Sequence, residues 1–87
     1  MDHKAILECQ SLWEEGKVSL SQMTARLSQA GVYACYVDPL NQRVLYEDAN
    51  GQEMDLPVAF NDRLLSELVL WGKCDSAGRH IMLNCEE

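Results

Sequence analysis

At Gly31 the chain changes its hydrophobic period, and this constrains the fold more than any other feature. Before it, apolar residues recur every three or four positions, the spacing of one helix face. After it, Val32-Tyr33-Ala34-Cys35-Tyr36-Val37 runs unbroken, rich in β-branched and aromatic side chains, as a strand that is apolar on both faces. A chain of this kind must join a helical part to a sheet.

The helical part divides in two. Residues 2–15 place Ile6, Cys9 and Trp13 on one stripe, with Ala5 and Leu12 beside it, and Gly16 suits the left-handed position after a helix end. Ser19 and Gln22 form a Ser-x-x-Gln capping box, with Val18 and Met23 spaced as a hydrophobic staple. Leu20, Met23, Leu27 and Ala30 then share a face up to Gly31. Two short helices on a tight link predict an antiparallel helical hairpin.

The sheet part reads as a three-stranded antiparallel meander. Asp38-Pro39-Leu40-Asn41 is a turn, with Asn41 able to take the left-handed conformation. Residues 43–46 form a second strand. Asn50-Gly51 predicts a two-residue type I′ hairpin turn, and residues 52–56 a third strand that Pro57 stops. A further helix opens at Asn61, with Leu64, Leu65, Leu68 and Trp71 on its apolar face, and Gly72 ends it. Residues 73–78 form a polar loop, and residues 80–85 a short last strand. Helices followed by hairpins predict an α+β fold rather than α/β.

The 87 residues suffice for one domain, 1–87. An apolar fraction of 47% excludes a disordered chain, and no apolar run nears the ~18 residues of a membrane span. The start, Met1-Asp2-His3-Lys4, lacks the order of a secretory signal, so the expectation is a soluble cytoplasmic protein whose four cysteines, Cys9, Cys35, Cys74 and Cys85, are thiols. Fourteen acidic residues against seven basic give a net charge of −7. That balance speaks against direct nucleic-acid binding and against anionic membranes, both of which require Lys and Arg. It suits solubility, or a basic partner.

The acids concentrate in "EDANGQEMD", residues 47–55. A two-residue turn at Asn50-Gly51 would set Asp48 opposite Glu53, Glu47 opposite Met54, Tyr46 opposite Asp55 and Leu45 opposite Leu56. Leu45, Met54 and Leu56 would then face the core, with Glu47 at its tip. Asp48, Glu53 and Asp55 would share a wet face with Val44 and Tyr46. Glu47, Asp48, Glu53, Asp55 and Tyr46 are therefore the candidate partner-binding residues. As an EF-hand the stretch fails: aligning Gly51 with the loop glycine puts Tyr46 and Pro57 at ligand positions.

Other chemistry is sparse. Cys74, His80 and Cys85 have the spacing Cys-x5-His-x4-Cys, which lacks the close cysteine pair of zinc sites and needs a fourth ligand from His3, Cys9 or Cys35. A Cys74–His80 nucleophile pair would have no orienting third group. No phosphate loop, dinucleotide fingerprint or hydrolase elbow is present. The expectation is a protein without catalysis, metal or cofactor.

Residues 16–57, "GKVSLSQMTARLSQAGVYACYVDPLNQRVLYEDANGQEMDLP", resemble a family of uncharacterised small domains from enterobacteria and their prophages, sometimes labelled phage envelope protein. Gly16, Ser19, Leu27, Ala30, Gly31, Val32, Tyr36, Val37, Tyr46 and Gly51 carry the resemblance. Members of that family are longer, and the chain departs from them after Asn61. The resemblance implies a bacterial or phage accessory protein and transfers no catalytic residue. Two functions follow as expectations. One is an accessory protein that binds another protein, through a strand edge or apolar helix face together with the acidic hairpin; Trp13 and Trp71 are its candidate core residues or interface anchors. The other is a phage-type inhibitor whose carboxylates, with Glu14 and Glu15 added, imitate DNA phosphates on a basic nucleic-acid-binding host protein. A thiol or zinc-site protein is the third reading, and a homodimer is open to each.

Overall fold

The computed structural model describes residues 1–71, 73–74 and 81–84, with the backbone alone at 70, 71, 73–74 and 81–84. Its elements run α1 (His3–Glu14), α2 (Leu20–Gln29), β1 (Ala34–Asp38), β2 (Arg43–Glu47), β3 (Glu53–Pro57), α3 (Asp62–Trp71), β4 (Lys73–Cys74) and β5 (Ile81–Asn84). The fold is α+β, with an N-terminal helical hairpin and an antiparallel sheet in the order β3-β2-β1-β5-β4. The last strand expected near the C-terminus is β5, which pairs with β1. The two-residue strand β4 falls where a loop was expected. No described helix is long and apolar enough to cross a membrane.

Local signals explain the helix ends. Asp2 caps α1 by accepting the Ala5 N–H at 3.1 Å. Ser19 and Gln22 make both bonds of the capping box. Asn61 accepts the Leu64 N–H at 2.9 Å and so opens α3. At the end of α2, Gly31 has φ +90° and its N–H bonds Ser28 O, while the Val32 N–H returns to Leu27 O at 2.9 Å. This 6→1 closure spends Val32 on the helix end, so β1 begins at Ala34 and not at Val32.

The three helices cover one face of the sheet. Ile6, Cys9 and Trp13 from α1, Leu20, Met23 and Leu27 from α2, and Leu64 and Leu68 from α3 pack on Cys35 and Val37 of β1 and Val44 and Tyr46 of β2. All are buried, and Met54 and Leu56 of β3 close the edge of this core. Each large apolar side chain removed from water stabilises by about 1.5–3 kcal/mol before its entropy is charged. Trp13 is a core residue, 1% exposed, in an edge-to-face pair with Phe60 whose ring centroids lie 6.3 Å apart. The side chain of Trp71 lies outside the described residues.

Helix α3 is bound to the α1–α2 link by two side chains one turn apart. Arg63 Nη2 donates to Trp13 O at 2.9 Å and Glu14 O at 3.2 Å, the carbonyl end of α1. Glu67 accepts the Leu20 N–H at 2.8 Å, the amide end of α2, and the Trp13 indole N–H at 3.2 Å. A cation thus meets the negative end of one helix dipole and an anion the positive end of the next. Gly16, at φ +77°, passes so close that an added Cβ would lie 3.3 Å from the Arg63 guanidinium carbon.

Both hairpins differ from the sequence expectation by one residue. In the β1–β2 turn the left-handed position is Gln42, φ 53°, and not Asn41. Asp38 instead holds Asn41, accepting from its backbone N–H and its side-chain amide. In the β2–β3 turn the loop has three residues, 49–51, rather than two. The Gly51 N–H donates to Asp48 O, and the Asp48 N–H donates to Gln52 O. Gly51 alone is left-handed there, φ +85°, so the turn is not type I′, which requires positive φ at Asn50 too.

Candidate interaction face

The three-residue loop resets the β2–β3 register. Glu47 stands opposite Glu53, Tyr46 opposite Met54, Leu45 opposite Asp55, and Val44 opposite Leu56. A shift of one residue moves every side chain of one strand to the other face. The faces expected for β2 are therefore reversed. Val44 and Tyr46 point toward the helices, at 1% and 0% exposed, and Leu45 points away. The placement of Met54 and Leu56 toward the core holds.

Two of the five candidate residues leave the surface in consequence. Tyr46 is in the core, and its hydroxyl donates to Gln10 Oε1 at 2.8 Å. Gln10 is itself buried, and its amide donates to Pro57 O at 2.8 Å and Glu14 Oε1 at 3.1 Å. Asp48 is 7% exposed, and its Oδ1 accepts the Asn50 and Gln52 N–H groups, both at 2.9 Å. It organises the loop. Glu53 and Asp55 face outward as expected, and Glu47, expected at the tip of the core face, turns outward with Leu45.

The outward face of β1, β2 and β3 reads as three rows across the strands. Near the hairpin tip, Ala34, Glu47 and Glu53 are aligned. In the middle come Tyr36, Leu45 and Asp55, and farthest from the tip Asp38, Arg43 and Pro57. Tyr36 and Leu45 are half-buried cross-strand neighbours, so an aromatic ring and an aliphatic chain sit side by side, each partly open to solvent. No described helix lies against them. Arg43 Nε bonds Asp55 Oδ1 at 2.9 Å, an exposed pair of the kind that contributes at most about 1 kcal/mol. Glu47 and Glu53, directly opposed and alike in charge, cost a few tenths to about 1 kcal/mol.

The free edge of β3 is less inviting than its face. Bond alternation fixed by the 48–52 pair turns the amides of Glu53 and Asp55 outward. Beyond them, Pro57 has no N–H, and its carbonyl is already taken by Gln10. Two charged residues, a proline and an occupied carbonyl are common protections against strand addition.

Among the described residues no group of three His, Cys, Asp or Glu side chains could hold a metal ion. His80 and Cys85 lie outside those residues, and Cys74 is described by its backbone alone, so the Cys74–His80–Cys85 grouping is not described. Cys9 and Cys35 are both buried, with Cys9 Sγ 3.6 Å from Met23 O. Glu14 and Glu15, added to the acidic set from sequence, bond Gln10 and Lys17 respectively.

Sequence reasoning missed Tyr36 and Leu45 as outward residues, although β2 carried the signal. Leu45 shares its parity with Arg43 and Glu47, both charged, whereas Val44 and Tyr46 share the other. Comparisons with protein-family models, curated proteins and solved structures found no match.

Proposed function

We propose that the protein is a non-catalytic accessory domain that acts in the cytoplasm by binding another protein through the outward face of β1–β3. One observation carries this reading: Tyr36 and Leu45 form a partly exposed apolar centre beside a net acidic rim of Glu47, Glu53 and Asp55. An apolar centre with a polar rim is the usual anatomy of a protein interface. The rim selects a partner with Lys or Arg around its own apolar patch. A second copy of the chain would bring its own Glu47 and Glu53 to the same rim, which disfavours a face-to-face homodimer. A bacterial or phage source rests on the family resemblance of residues 16–57.

Phosphate mimicry has less support. It needs many outward, unneutralised carboxylates, whereas Asp48 is turned inward and Asp55 and Glu15 pair with Arg43 and Lys17; Glu14 accepts from the neutral Gln10 amide and keeps its charge. The two readings separate in one experiment on a captured partner. Leu45→Glu should abolish capture from the native host's lysate, while Leu7→Glu on the exposed side of α1 should not. Binding that survives Leu45→Glu, falls steeply with salt and is competed by DNA would replace this reading with mimicry.

A further inference from the structure

Asn50-Gly51 is the one Asn-Gly pair in the chain, and its surroundings give it a chemistry independent of any partner. Both residues are exposed, and nothing lies within 4 Å of where a Gly51 Cβ would stand. The other asparagines with described side chains are held. Asn41 donates its side-chain amide to Asp38 Oδ2 at 2.7 Å, and Asn61 Oδ1 accepts the Leu64 N–H. Among the described residues no hydrogen bond holds the Asn50 side chain, whose residue is anchored only through its backbone N–H.

We propose that Asn50 is a site of spontaneous deamidation and that Asp48 sets its rate. The backbone nitrogen of Gly51 loses its proton to water or hydroxide and attacks the side-chain carbonyl carbon of Asn50. A new C–N bond closes a five-membered succinimide, the Cγ–NH2 bond breaks, and the nitrogen leaves as ammonia after taking up a proton. One water then opens the ring at either carbonyl, giving aspartate or isoaspartate. No oxidant or cofactor is consumed. Glycine favours the attack because no side chain crowds its nitrogen.

The native loop restrains this reaction. The attacking nitrogen donates to Asp48 O at 3.2 Å, and Asp48 Oδ1 fixes the N–H groups of Asn50 and Gln52 on either side. For the nitrogen to reach the side-chain carbon, that bond must open and Asn50 must turn about its backbone. Reaction therefore proceeds from a locally opened tip, and Asp48 holds the tip shut. Either product places a further carboxylate on the hairpin that also carries Glu47 and Glu53, and isoaspartate adds a backbone methylene as well.

The test is peptide mass mapping of the intact chain aged at mildly alkaline pH, with chromatographic separation of aspartate and isoaspartate peptides. The expected result is NH2-to-OH exchange at Asn50 before Asn41 or Asn61, severalfold faster in Asp48→Ala, and absent at position 50 in Asn50→Gln. In urea, wild type and Asp48→Ala should react at one common rate. Should Asp48→Ala fail to fold, wild type alone still reports, since it must react more slowly folded than in urea. Earlier reaction at Asn41 or Asn61, or equal rates for folded and unfolded wild type, would overturn the proposal.

Discussion

Asp48 and Tyr46 lie two residues apart on β2 and its exit, and each commits a polar group to the inside of the molecule. Asp48→Ala removes the acceptor for two loop amides and should destabilise by about 1–2 kcal/mol, since some of the freed amides can turn to water. Asp48→Asn keeps an oxygen at that position and should lose less. Equal losses, measured by urea unfolding at unchanged m, would show that the carboxylate's charge and not its geometry organises the tip. Tyr46→Phe leaves Gln10 Oε1 without its 2.8 Å donor inside the core, and should cost about 1–3 kcal/mol. A neutral outcome would mean that water reaches Gln10. Gln10 itself was illegible in the sequence. A lone Gln on the border of an apolar stripe reads as solvated, and only the arrival of Tyr46 and Pro57 from 36 and 47 residues away makes it a buried hub.

At the scale of elements, α3 is held by polar bonds to helix ends as well as by Leu64 and Leu68. Glu67→Ala should cost about 2 kcal/mol, because the Trp13 indole and the Leu20 amide both lose their acceptor. Native-state hydrogen exchange should then show the first turn of α2 opening more readily; protection unchanged there would contradict the capping role. On the sheet, Glu53→Lys replaces a like-charged opposition to Glu47 by an opposite-charged one and should stabilise by a few tenths to about 1 kcal/mol. Destabilisation would mean that the two side chains do not face each other. Most helix limits were legible because their signals are local: Ser19-x-x-Gln22, Gly31 and Asn61 each act within a few residues, whereas the Asp2 cap went unread inside the expected helix. The hairpin register was not. Asn50-Gly51 fits a two-residue turn, but it equally fits the end of a three-residue loop, and the Asp48 side chain favours the latter by accepting both amides. One residue of loop length then carried Val44 and Tyr46 inward and Leu45 outward.

For the whole molecule, the helices take one face of the sheet and leave the other with Tyr36 and Leu45 half open beside acids. If the proposed face binds a basic partner, the net charge of −7 adds a long-range attraction that salt weakens, while an apolar contact at Leu45 does not respond. Association rate should therefore fall with ionic strength more than dissociation rate rises. This picture depends on the β2–β3 register, which NMR reads directly. The 48–52 pair is closely hydrogen-bonded, so the wide pairs bring the α-protons of Leu45 and Asp55, and of Glu47 and Glu53, together. Strong Hα–Hα cross-peaks between those two pairs are the predicted result. Cross-strand contacts pairing Leu45 with Leu56 and Tyr46 with Asp55 instead would turn Leu45 inward, return Tyr46 to the surface and contradict the proposed face.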